Sequence, residues 1–72
     1  MDKGSQSSPF YRETALMYHG EVSDMTLPRG RRAVFSNNDT MRGYQRWLIS
    51  QHYTVSNTYR KGHSYFVEFL VG

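Results

Sequence analysis

Cysteine is absent from the 72-residue chain. That excludes disulfides and takes away the thiolates that structural zinc sites favour, so a small core must be held by packing or by self-association. A chain of this length has room for one domain and buries only about 60% of the surface its unfolded form exposes. Long apolar runs are missing too: none approaches the roughly 20 residues that span a bilayer, and no basic-then-apolar leader opens the chain. We therefore expect a soluble, cytoplasmic protein with no membrane partner. No catalytic or cofactor-binding spacing is recognisable, and the expectation is a non-enzymatic protein without a cofactor.

Acidic residues are scarce and unevenly placed. Six Asp and Glu face nine Lys and Arg, giving a formal net charge of +3 at pH 7. Residues 1 to 28 carry a net charge of −2 and residues 29 to 72 one of +5. The positive field thus belongs to the later part of the chain, which bears on partners and says nothing about fold. What the chain has in quantity is aromatic bulk: six Tyr, four Phe and one Trp, each able to bury roughly 150 to 250 Å².

The first nine residues, running through Gly4-Ser5-Gln6-Ser7-Ser8-Pro9, are polar and without periodicity, so ordering them costs entropy for little burial. We read a disordered tail over 1–12 and a single α+β domain over 13–72. Thr14 to His19 is an apolar run of strand length closed by Gly20, and we read it as the first strand, with a helical turn as the competing reading. Glu21 to Thr26 turns polar. Leu27-Pro28-Arg29-Gly30 has Pro and Gly where a type I turn favours them, so the chain reverses there. Arg32 to Phe35 is a short strand.

Ser36 followed by Asp39 resembles a capping box and opens a helix from Asn38 to about Gln51. Met41, Tyr44 and Leu48 fall in one narrow stripe at helical spacing with Trp47 on its flank, while Arg42, Gly43, Arg46 and Ser50 share the opposite face. Strand chemistry then resumes over Tyr53 to Tyr59 and Ser64 to Val71, with Arg60-Lys61-Gly62-His63 between them as a hairpin tip. In the second arm Tyr65, Val67, Phe69 and Val71 form an apolar face expected to pack on the helix stripe. The fold class that results is a small antiparallel sheet in ββαββ order on a single helix. Its other face is left open for a binding partner or for a second copy in a homodimer.

Arg31, Arg32, Arg42 and Arg46, with Arg60 and Lys61 at the hairpin tip, are the candidate nucleic-acid-binding residues, because the planar guanidinium fork matches phosphate oxygens. Tyr59 and Phe66, on the mixed sheet face, have π surfaces on which unpaired bases stack. Together with Trp47 they are also the candidate residues for docking a protein partner, since aromatic side chains are enriched at interfaces. Tyr44 and Met41 are expected in the core.

Histidine 52, His63 and Lys61 raise the possibility of metal-free phosphodiester chemistry, which needs an acid, a base and a cation. The helix, two strands and glycine–histidine turn over Leu48 to Phe66 resemble the small interferase toxins of the HicA type, a resemblance that implies a catalytic role for the hairpin histidine. The order here is Gly62-His63-Ser64 where that family has Gly-Ser-His, and we read the histidines as exposed turn and strand-end residues. No pair of histidines has metal-ligand spacing and no carboxylate cluster accompanies them, so no metal is expected. Asn38-Asp39-Thr40 matches a glycosylation sequon and is read as the first turn of the helix.

Two functions follow from this reading. The first is a small nucleic-acid-binding module using the basic later segment, favoured by the charge asymmetry. The second is a regulator or inhibitor, of the size of a phage or mobile-element accessory protein, that docks on another protein.

Overall fold

The computed structural model describes residues 10–71, and the expectation made for residues 1 to 9 lies outside them. The elements in chain order are α1 (Tyr11–Met17), β1 (Glu21–Asp24), β2 (Gly30–Phe35), α2 (Asn38–Ser50), β3 (Thr54–Lys61) and β4 (Ser64–Leu70). The strands form one antiparallel sheet in the order β1-β2-β4-β3. Both helices cover the same face: Tyr11 of α1 and Tyr44 of α2 each meet the ring of Phe69 edge-on, at centroid distances of 5.7 and 6.0 Å. The fold is α+β as expected, but with two helices in αββαββ order in place of one helix in ββαββ order.

The difference lies at residues 14–19, where the chain is helical through Met17 and then turns. Thr14 and Ala15 are buried and Tyr11 and Tyr18 half-buried, a spacing of three, four and seven residues that defines one helix face. That stripe starts at Tyr11, ahead of residue 13 where the sequence reading opened the domain, and α1 therefore includes Tyr11 and Arg12. The missing strand is β1, in the polar segment that follows. Only Val22 in it is even half-buried, so β1 exists by pairing with β2 and carries almost no apolar signal of its own.

Each helix ends in the same way. After α1, His19 N–H donates to Leu16 O (2.9 Å) and Gly20 N–H to Ala15 O (2.8 Å). After α2, His52 N–H donates to Ile49 O and Tyr53 N–H to Leu48 O, both at 3.0 Å. These are Schellman caps, and the residue that must adopt the left-handed conformation is a histidine in each, with φ of 62° at His19 and 67° at His52. Two of the three histidines thus serve the backbone.

At its start α2 is capped by Asn37, one residue later than the Ser36 expected, with Asn37 Oδ1 accepting from Asp39 N–H (2.7 Å) and Thr40 N–H (3.3 Å). Gly43 sits where α1's end comes close: a Cβ there would lie 2.7 Å from the Tyr18 ring. The Leu27–Gly30 turn forms as expected, with Gly30 N–H donating to Leu27 O at 3.0 Å. The β3–β4 hairpin closes on Gly62-His63, Gly62 taking φ 64°.

Tyr44, Leu48, Val67 and Phe69 have no exposed surface and, with Ala33 and Phe35, make the centre of the core. Trp47 is half-buried and stacks on Tyr44 at 5.7 Å. The Tyr44 phenol donates to Tyr11 O at 2.8 Å, tying α2 to the start of α1. Burial, with the neighbouring Tyr53 and Tyr11 adding to it, raises this phenol well above its ordinary value of 10.0. The unfolded chain therefore loses the Tyr44 proton first, and the stability tied to that proton is complete below pH 10 and falls as pH rises beyond it. We expect the unfolding free energy to drop by about 1.4 kcal/mol per pH unit above 10 from this residue alone. Urea melts of the parent and of Tyr44→Phe between pH 9 and 11.5 check it: the variant's curve should be the shallower by that slope.

Candidate nucleic-acid interface

The face of the sheet turned away from the helices is built by strand alternation and register. Residues directly opposed share a face, which places Glu21, Val34, Phe66 and Tyr59 in one row and Ser23, Arg32, Glu68 and Asn57 in the next. Lys61, opposed to Ser64, follows Tyr59 along the same side of β3. The Tyr59 and Phe66 rings stack with centroids 4.9 Å apart and planes within 14°.

Glu68 organises this surface. Its Oε2 accepts from Tyr59 Oη at 2.7 Å and from Arg32 Nε at 3.1 Å. Its side chain is only 13% exposed against 42% for Arg32, so the carboxylate is neutralised within the sheet while the terminal nitrogens of Arg32 reach outward. The hydrogen bond to Glu68 is the main cause that holds the Tyr59 phenol above its ordinary value. Strand alternation puts Glu68 on the same face as Phe66, and nothing local in the sequence joins it to Arg32 and Tyr59. Only the β2–β4–β3 register brings them together, across 36 and 9 residues.

The six cations read from the sequence divide into two groups. Arg31 lies on the helix side, where Nε donates to Tyr11 Oη (3.3 Å) and pairs with Asp24 (3.2 Å), and Nη1 donates to Pro28 O and Gly30 O. Asp24 also pairs with Arg12 at 2.8 Å. Arg31 is thus occupied in the fold, and Arg32 is occupied on one edge of its guanidinium. Arg42, Arg46, Arg60 and Lys61 are exposed and make no ion pair among the described residues.

Arg42, Arg60 and Lys61 lie toward one end of the molecule, on different faces. β2 ends at Phe35, opposed to Tyr65, and α2 begins three residues later, so the first turns of α2, with Arg42, lie at the hairpin end that carries Arg60 and Lys61. Arg60, opposed to the half-buried Tyr65, projects on the helix side, and Lys61 projects on the open side. Arg46 lies one turn further along the outer face of α2.

His52 does not assemble with His63 and Lys61. His52 precedes β3 and His63 follows it, and eight residues of strand at about 3.3 Å each put roughly 26 Å between them. Among the described residues no three His, Asp or Glu side chains are grouped as metal ligands, and no helix is long and apolar enough to cross a membrane.

Comparison with family models, with curated proteins and with solved structures gives no match for this chain.

Proposed function

We propose that this protein binds nucleic acid and that Arg42, Arg46, Arg60 and Lys61 are the residues that meet its phosphates. The observation that supports this reading is the way the fold distributes charge. Asp24 and Glu68 are paired with Arg12, Arg31 and Arg32, and Arg42, Arg46, Arg60 and Lys61 are exposed and make no ion pair among the described residues, with Asp39 the exposed carboxylate in the first turn of α2. A surface that merely keeps the protein soluble gains from interspersed signs; on α2 and the hairpin tip four cations outnumber the exposed Asp39, an excess that lets a polyanion release its counterions.

The test is a salt series on a labelled duplex. Each phosphate contact contributes about −0.9 to the slope of log affinity against log salt. Arg42→Ala with Arg46→Ala removes two of them, and the slope should become shallower by roughly 2. Both side chains point away from the core, so the thermal midpoint should not move. A double variant with the parent's slope excludes α2 from the interface.

A further inference from the structure

The geometry points to a single-stranded ligand, with an unpaired base stacking on Tyr59 at the open face of the sheet. This rests on the nucleic-acid reading above and deepens it. β3 is an edge of the sheet, so among the described residues no further strand covers the ring face of Tyr59 turned away from Phe66. The Tyr59–Phe66 column, with its rings already parallel at 4.9 Å, can be continued outward by one more flat ring. A base stacked on such an aromatic platform is recognised by its π surface, and only an unpaired base offers that surface.

Two further features fit this ligand and no protein partner in particular. The platform is rigid before anything binds: the Tyr59 phenol is anchored on Glu68, which Arg32 anchors in turn, so little side-chain freedom remains to be lost. A cation also lies beside it along the strand. Lys61 lies two residues beyond Tyr59 on the same side of β3, about 7 Å along it. Arg32, its side chain 42% exposed, lies across β4 on the far side of Glu68. An aromatic face with the Lys61 cation beside it suits a base and its neighbouring phosphate, whereas a duplex keeps its bases stacked internally and can use only the cations.

The measurement is fluorescence anisotropy with labelled 12-mers of uridine and of thymidine and a duplex of the same length, on the parent, Tyr59→Leu and Tyr59→Phe. The two single strands share the stacking chemistry and differ in the 2′-hydroxyl and in the C5 methyl of the base. Parent protein should bind at least one single strand about tenfold or more tighter than the duplex. Tyr59→Leu should lose about tenfold on that strand and little on the duplex, while Tyr59→Phe, which keeps the ring, stays within a few-fold of the parent on it. Circular dichroism melts of each variant show whether the fold is kept. Duplex binding equal to single-strand binding, with Tyr59→Leu unchanged, overturns the stacking proposal and leaves the phosphate reading intact. No binding to any of the three removes both. A parent that sediments as a dimer, dispersed by Tyr59→Leu, puts a second copy on this face and overturns the proposal as well.

Discussion

Leu48→Ala is expected to lower the unfolding free energy by about 2 to 5 kcal/mol, the range for removing most of a large aliphatic side chain from a site that cannot collapse. Leu48 has no exposed surface and belongs to the core cluster that joins α2 to the sheet. Its carbonyl also accepts from Tyr53 N–H at 3.0 Å in the Schellman cap, so the backbone around it is held in place and has little room to close over a cavity. For a chain of 72 residues the whole stability is on the order of 4 to 11 kcal/mol. The substitution therefore takes a large share of it and leaves a protein folded only marginally at room temperature. Urea denaturation with an unchanged m-value and a shifted midpoint is the result that fits. A midpoint equal to the parent's would place Leu48 outside the core and rotate α2 about its axis.

The nucleic-acid reading carries the other large effect. With Arg42, Arg46, Arg60 and Lys61 each neutralising one phosphate, the slope of log affinity against log salt is about −3.6. Raising salt from 50 to 200 mM should then weaken duplex binding by about a hundredfold. Arg31 adds nothing to this figure, because its nitrogens are engaged by Tyr11, Asp24, Pro28 and Gly30. Arg32 contributes only through the nitrogens that Glu68 leaves free.

The parts of this fold that sequence made legible are those whose periodicity is strong and whose turn chemistry is explicit. The Met41–Tyr44–Leu48 stripe defines α2, the alternation of Tyr65, Val67 and Phe69 defines β4, and Pro28 and Gly30 mark the turn before β2. Each of these residues was placed on the face that the structure gives it. Where the reading went astray, the deciding signal was masked. Thr14 to His19 looks like a strand because Leu16 and Met17 continue its apolar run, yet both are exposed, at 64% and 78%. The helix face is completed by Tyr11, which had been assigned to the tail. Histidine in place of glycine at the left-handed position after Met17 gave no sign that a helix ends there.

The candidate interface was legible as a list of residues and not as a surface. Charge asymmetry pointed to the later half of the chain, and residue type offered Tyr59 and Phe66 as stacking candidates. Nothing in the sequence separates Arg31, which faces the helices, from its neighbour Arg32, which faces outward, until the register of β2 against β4 is known. The same holds for Glu68, whose carboxylate links two strands to the strand it sits on. Local pattern gives elements and faces; the pairing of distant strands gives the site.

The most direct test of the central claim is the equilibrium affinity of the parent protein for a labelled 20-base-pair duplex, titrated at 50 and at 200 mM salt. The account predicts measurable binding at the lower salt and a loss of about a hundredfold at the higher. No titratable binding at 50 mM, or an affinity that does not change with salt, would contradict it.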